Sequence, residues 1–324
     1  MTPTPVQSSA PGKVILFGEH AVVHGRPAIA VPVTQVRATV TAKPAPPGSG
    51  LTLIASDLGK RIALSTVPQD EPLAAAARFT LIHLSMPEPD VTLNIHSTIP
   101  IASGLGSGTA VSTAIVRALA SFLDHKLGPA EVSPLVFEVE KIHHGTPSGI
   151  DNTVVAYERP VYFARGGGSE PLTVGEPFTL VIGDTGIRSS TRVAVERVRR
   201  AWERNRARYD ALFNRIGDLV DEGRDAIEAG DVDALGPLMD HNHELLIELG
   251  VSSPQLDALV NAARSSGAMG AKLSGGGLGG NMIALGHASP HAGRAQMDDA
   301  EQVAQALTEA GAARVIRTTV TATG

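Results

Sequence analysis

The chain contains no cysteine. Disulfides, thiol nucleophiles and cysteine-bound zinc are therefore excluded together. Lysine is scarce: the 27 basic residues divide into 6 lysines and 21 arginines. There is no cationic excess either, because 33 acidic residues leave a net charge of -6. No global basic field exists to hold nucleic acid or an anionic membrane, so a polyanionic ligand must be gripped locally. No stretch reaches the ~18 consecutive apolar residues of a membrane span. The opening MTPTPVQSSAPGK has no basic segment followed by an apolar one, which predicts a cytoplasmic protein with neither membrane nor nucleic acid as partner. Apolar residues, in contrast, are plentiful: 43% of the 324 residues are hydrophobic and 19% charged. That suffices for a sizeable core in one large domain or two moderate ones.

Periodicity predicts an α+β chain in two lobes. Residues 28–42 alternate apolar and polar with many β-branched side chains and read as a strand, with Pro32 at an edge or bend. Residues 44–50 (PAPPGSG) form a loop, and LTLIAS and RIALST pair as a hairpin around Asp57–Gly59. Helical spacing covers 71–86, alternation covers 91–95, and an uninterrupted helix is expected over 109–123. A helix over 134–143 should end near Gly145, and 153–163 return to strand character. The glycines at 166–168 are the best candidate for a boundary, with an N-terminal domain at 1–172 and a C-terminal one at 173–324. Beyond it the pattern predicts a strand at 178–182 and one long Arg-rich helix over 191–213. Two helices within 216–249 and another at 254–266 come next, then strands at 282–285 and 315–321 around a helix at 296–310.

Glycine loops carry the first chemical signal. Ser103, Gly104, Leu105, Gly106, Ser107, Gly108 and Thr109 follow a strand and open the strongest helix of the chain. A helix start offers unpaired backbone N–H groups and the positive end of the macrodipole. Glycines let those amides approach phosphate oxygens, and the hydroxyls of Ser107 and Thr109 can add donors or reach a metal. The loop reads as a nucleotide phosphate cradle or, more plainly, as a strand-to-helix turn capped by Ser107. No G-x-x-x-x-G-K-[ST] occurs anywhere. A G-x-G-x-x-G spacing does occur at 275–280, but strand-like residues follow it where a dinucleotide fold needs a helix. That second loop marks a close backbone approach or a tight turn into a strand.

Phosphoryl transfer needs a phosphate cradle, a metal with oxygen ligands, a group to receive or orient the hydroxyl proton, and a cation. The segment EKIHHGTPSGIDN offers Glu140 near a helix end and Asp151 just past a Pro-Ser-Gly turn, opening an apolar strand; either could also be an ordinary cap. Lys13 opens another apolar strand, where an unpaired lysine is unusual. If it faces a cleft, Asp151 is its natural partner, and the pair would polarise a substrate hydroxyl. His20 and His24 are four apart, but no third ligand accompanies them, so zinc is disfavoured. His143, His144, His241 and His243 read as surface or capping groups. The arginines between 188 and 208 alternate with Glu196 and Glu203, as on a solvated helix face.

In order, APGKVILFGEHAVVHGRPAIA, IPIASGLGSGTAVSTA and GAMGAKLSGGGLGGNMIAL resemble the three signature segments of the GHMP small-molecule kinases. Within that superfamily the first segment is similar to the mevalonate kinase branch, as are EKIHHGTPSGIDN and GDTGIRSSTR. The resemblance runs from about residue 8 to residue 320. It implies a ribosomal-protein-like N-terminal lobe, a ferredoxin-like C-terminal lobe, and transfer of the ATP γ-phosphate to the 5-hydroxyl of mevalonate with Mg²⁺. Carried across by position, Asp151 is the catalytic aspartate and Lys13 its partner. Glu140 binds magnesium, residues 103–109 hold the triphosphate, and Glu19, His20, Thr191 and Gly276 lie near the substrate. The chain departs from the family's G-L-G-S-S-A-A loop at Gly108, where the second serine would ligate magnesium, so Ser107 or Thr109 must supply that hydroxyl. It also has Gly276 where alanine is common and Asn281 where many relatives have cysteine. The alternatives are another acceptor, such as phosphomevalonate or a sugar, or a non-catalytic ligand sensor. Neither the residues that contact the purine nor a homodimer is legible in the residues.

Overall fold

The first extended segment, β1 (Val6–Phe17), is buried without a break from Ala10 to Phe17. Lys13 therefore sits in the interior of a strand and not at its opening. The computed structural model describes residues 4–100, 103–144, 147–164, 168–188, 190–286 and 299–321. The glycines at 166–167, the helix end expected near Gly145 and the start of the helix expected from 296 lie outside the described residues, as do the side chains of His143 and His144. Contacts divide the chain into two compact units. One comprises Met1–Lys13, Val36–Ile101 and Leu105–Glu158; the other comprises Val14–Gln35, Ala102–Gly104 and Arg159–Gly324. The division departs from the boundary expected at 172/173, because β1 and the 17-residue β2 (Ala28–Pro44) each run through both units.

In the first unit β2 pairs antiparallel with β5 (Val91–Ser97), from Ala38 opposite Ser97 to Pro44 opposite Val91. β5 runs parallel to β3 (Leu51–Ala55), and β3 forms the expected hairpin with β4 (Lys60–Ala63). α1 (Pro72–His83), α2 (Ser107–Phe122), α3 (Pro129–His144) and α4 (Ile150–Tyr157) pack on one another, and α2 joins them to β5. Pro72 at the first helical position and Glu71, whose side chain accepts from the Ala74 amide at 2.7 Å, start α1. The central helix is α2, which packs against α1, α3, α4 and β5. Its buried positions are mostly Ala, Ser, Thr and Val, small enough for elements on several sides to approach. Two boundaries differ from expectation. The helix expected from Pro134 begins at Pro129 and carries Pro134 inside it. Of residues 153–163, expected as strand from an opening at Asp151, those up to Tyr157 belong to α4 and only those from Val161 are strand. The β-branched residues of α4 favour a strand only weakly, and packing of α4 against α2 and α3 outweighs that preference.

In the second unit Ala28–Ala30 of β2 pair antiparallel with β6 (Val161–Ala164), which pairs with β7 (Gly168–Pro171). A separate four-stranded antiparallel sheet has the order β11-β8-β10-β9, from β8 (Phe178–Asp184), β9 (Gly270–Ser274), β10 (Asn281–Gly286) and β11 (Arg314–Val320). α7 (Val232–Glu248), α8 (Pro254–Ser265) and α9 (Asp299–Glu309) pack on it. The single helix expected over 191–213 is two: α5 (Thr191–Arg204) and α6 (Arg206–Ala229). Asn205 breaks it, with φ −149° and ψ 70°, and its side chain accepts from the Arg208 amide, so it caps α6. The expected charge pattern holds on α5: Glu196 pairs with Arg199 and Arg200, and Arg199 also pairs with Glu203, all on an exposed face. Among the described residues no helix is long and apolar enough to cross a membrane.

Candidate active site

The first unit brings Lys13, Asp151, Glu140 and Thr109 together. Lys13 Nζ lies 3.0 Å from Asp151 Oδ2, with the lysine side chain 8% and the aspartate 31% exposed. The Lys13 amide donates to the Leu105 carbonyl at 3.0 Å, which ties β1 to the glycine loop. Gly106 is needed there on two counts. Its φ is +73°, and a Cβ would come 2.9 Å from Lys13 Cγ and 3.3 Å from Cε. The loop glycine thus makes room for the lysine stem. Gly106 is also the N-cap of α2, which has no side-chain cap. Ser107 is the first helical residue, so the plain capping role considered for it is not realised, and the helix mouth keeps its backbone polarity for a ligand.

Asp151 occupies the first turn of α4, after a left-handed N-cap at Gly149 (φ 94°). A carboxylate is favoured there by the helix dipole. The neighbouring Asn152 fixes that turn by donating from Nδ2 to the Ser133 carbonyl (3.1 Å) and Oγ (2.9 Å) on α3. Glu140, also on α3, is buried and accepts a hydrogen bond from Thr109 Oγ1. Burial, and secondly the Asp151 carboxylate, push Glu140 up to about 8; Thr109 and Lys13 act in the opposite sense. Near neutral pH such a group holds a proton unless another positive charge stands nearby.

This donor set fits a magnesium ion. Two carboxylates and a hydroxyl supply only oxygen, and a hard divalent cation would offset both the burial and the Asp151 charge that raise Glu140. Among the described residues no group of three or more His, Asp and Glu could hold a metal alone. Magnesium typically takes one or two carboxylates and fills its shell with water and phosphate oxygens, so that finding agrees with the fit. Gly108 is exposed and carries no group to ligate. Of the two hydroxyls considered in its place, Thr109 is the one on Glu140.

The second unit brings Glu19, His20, Thr191 and Gly276 together with a residue that sequence reading gave no role, Lys272. Lys272 on β9 and Glu19 are almost completely buried and form an ion pair; Lys272 Nζ also donates to the Leu273 carbonyl at 2.9 Å. Burial pushes Glu19 up and Lys272 down, and each one's charge opposes the other's shift. The signal in the sequence is a lysine inside the apolar strand GAKLS, but nothing local to that segment shows which carboxylate it meets. His20 adopts φ +61° and donates from Nε2 to the Gly276 carbonyl at 3.0 Å. Burial pushes it down to about 4, so it is neutral near pH 7, and its buried Nδ1 has no hydrogen-bond partner among the described residues. A Cβ on Gly276 would come 3.1 Å from Thr191 Cα, which places these two side by side. Of the loop's first two residues, Ser103 and Gly104, the Ser103 carbonyl accepts from Asn281 Nδ2 at 2.5 Å.

The remaining histidines resolve differently. His24 stacks on Phe213 with ring centroids 4.1 Å apart, and with His20 turned to Gly276 the spacing of four makes no metal site. His241 is exposed and contacts Arg215, as expected of a surface group. His243 is buried, contrary to expectation: its Nδ1 accepts from the Leu273 amide at 3.3 Å and its Nε2 lies 3.5 Å from Asp257. It faces the sheet because α7 packs on β9.

The GHMP kinases N terminal domain family matches residues 72–159 and the GHMP kinases C terminal family matches residues 224–313. A mevalonate kinase of Thermococcus sibiricus is 37% identical over 308 residues, covering 86% of this chain and 89% of its own. One of Pyrococcus horikoshii is 37% identical over 300 residues, with 86% and 88% covered. The solved structure of the L. major mevalonate kinase in complex with R-mevalonate superposes with a TM-score of 0.83 at 29% identity, covering 100% of this chain and 98% of that one. With a two-sheet α+β fold, a lysine–aspartate pair beside a helix-mouth loop, and these likenesses over nearly the whole chain, the protein belongs to the GHMP kinases, in the mevalonate kinase family.

Proposed function

We propose that the protein transfers the γ-phosphoryl group of ATP to the 5-hydroxyl of mevalonate, giving 5-phosphomevalonate and ADP. One contact supports the assignment of roles most directly: Lys13 Nζ at 3.0 Å from Asp151 Oδ2, beside the N-terminus of α2. Asp151 accepts the hydroxyl proton as the oxygen attacks the γ-phosphorus, and Lys13 stabilises the negative charge that develops. The loop from Ser103 to Thr109 orients the triphosphate through backbone amides at the helix mouth. Glu140 and Thr109, with Ser107 close in the chain, would hold Mg²⁺, which supplies charge neutralisation on the phosphates when bound. Glu19, His20, Thr191 and Gly276 contribute to acceptor binding, and the buried Nδ1 of His20 is suited to a polar group of that acceptor.

An ADP-release assay with Mg²⁺-ATP across mevalonate, phosphomevalonate, galactose and homoserine tests the acceptor. Preference for any acceptor over mevalonate would overturn the substrate assignment. Asp151→Asn is expected to lower kcat at least ~100-fold, the scale of general-base catalysis, with ATP affinity by calorimetry nearly unchanged. Near-normal turnover in that variant would remove the proton-accepting role.

A further inference from the structure

The three elements that carry the proposed catalytic groups meet a second time at their other ends, all within the first unit. Lys13 lies on β1, Asp151 in the first turn of α4, and Thr109 in the first turn of α2. Four strand residues at ~3.3 Å, or seven to eight helical residues at ~1.5 Å, separate these from a second junction roughly 10–13 Å away. There Arg117 of α2 donates from Nη1 to the Ser9 carbonyl of β1 at 2.9 Å and to Glu158 Oε1 at 2.5 Å. Its Nη2 donates to the Ala156 carbonyl near the end of α4 at 2.7 Å. Arg37 of β2 closes the junction, with Nη2 to Glu158 Oε2 at 2.8 Å and Nε to Ser9 Oγ at 3.0 Å. Glu158 is the C-cap of α4 at φ 52°, a left-handed conformation that is unfavourable for a glutamate and is held here by the two guanidinium groups.

We infer that Arg117 and Glu158 form a positioning clamp that sets how Asp151 approaches Lys13, and so governs turnover without touching either substrate. The inference rests on the roles given to Lys13 and Asp151 above. The side chains are 21–31% exposed, so the ion pairs are worth little as Coulomb energy, and their value is geometric. Only a planar fork reaches one carboxylate and two carbonyls on different elements at once, which a lysine cannot do. Without the clamp α4 keeps its packing on α3 and the Asn152 bonds to Ser133 but loses its tie to β1, so α3 and α4 can tilt together against that strand. A tilt of about 6° over a ~10 Å lever displaces the Asp151 carboxylate by ~1 Å, and a misplacement of that size costs about 100-fold in rate.

The test is a kinetic cycle on the full chain. Arg117→Lys and Glu158→Gln are each made alone and together with Asp151→Asn, and kcat and both KM values are measured alongside thermal melts. With Asp151 present, each is expected to lower kcat by about 10–100-fold while KM for ATP stays within about twofold. In the Asp151→Asn background the same substitutions should cost less than about twofold, because no proton acceptor remains to be misplaced. A merely structural role would reduce activity by the same factor in both backgrounds; such additivity, or an unchanged kcat in the single variants, overturns the clamp. Should Arg117→Lys fail to fold, Glu158→Gln, which leaves the shape of the side chain intact, carries the same cycle. Near-normal turnover of Asp151→Asn by itself removes the base and the clamp together, whereas additivity removes the clamp alone.

Discussion

At the scale of single residues, the departure at position 108 is the most informative. Gly108 lies in the first turn of α2, and a Cβ built there meets nothing within 4 Å among the described residues. A serine at this position therefore enters open space on a helical backbone. Gly108→Ser is expected to leave the melting temperature unchanged or to raise stability by about 0.5 kcal/mol, the difference in helix propensity. It should also lower the free Mg²⁺ concentration that half-saturates turnover, because it adds an oxygen donor beside the Thr109–Glu140 pair. Titration of activity against free Mg²⁺ checks this, and an unchanged half-saturation would mean that position 108 does not face the metal. Glu140 was legible as an acidic candidate from its place near a helix end. Its hydrogen bond with Thr109, 31 residues away in the sequence, was not.

At the scale of elements, backbone approach decides more than propensity does. α7 crosses the start of β9 at Gly236, where a Cβ would land on the Met269 carbonyl, while one on Gly270 would land on the Gly236 carbonyl. β9 in turn carries Lys272 to Glu19. Gly236→Ala is expected to destabilise the protein by about 1–3 kcal/mol, as overpacking does. The measurement is a denaturant midpoint that falls while the slope m is unchanged. No change in midpoint would mean that the helix and strand separate at little cost. Sequence patterns anticipated most strands and helices, including the β3–β4 hairpin and α2. They missed α4 and the break at Asn205, because eight residues of mixed preference and one capping asparagine are weak local signals that neighbouring elements override.

At the scale of the whole molecule, stability depends on pH through buried groups of opposite sign. Burial pushes His20 and His243 down to about 4. The unfolded chain binds protons on them from about pH 6.5 downward and the folded chain does not. Each therefore removes stability as pH falls from about 6.5 to about 4, at up to ~1.4 kcal/mol per pH unit. Glu140, pushed from 4.5 up to about 8, works the other way: its contribution is lost progressively as pH rises between those two values. The net curve mixes these, so a difference isolates one of them. His243 faces Arg264, Asp257 and Lys272. In His243→Asn the side-chain oxygen can still accept from the Leu273 amide, but the titration is gone. The slope of stability against pH between about 4 and 6.5 should fall by up to ~1.4 kcal/mol per unit relative to the parent. Equal slopes would show that His243 is not held neutral in the fold.

The sequence by itself determined the α+β class, the glycine loop at the head of a strong helix, and Lys13 and Asp151 as partners. It could do so because alternation, helical spacing, a misplaced lysine and motif order are all written locally along the chain. Tertiary structure alone decided that Asp151 opens a helix, that Lys272 neutralises Glu19 from 253 residues away, that His243 is buried, and that Arg117 and Glu158 tie three elements together. Each of these follows from which surfaces pack against each other. A buried charge or a strained cap is tolerable only beside its partner, and that proximity is a property of the packed chain and of no segment within it.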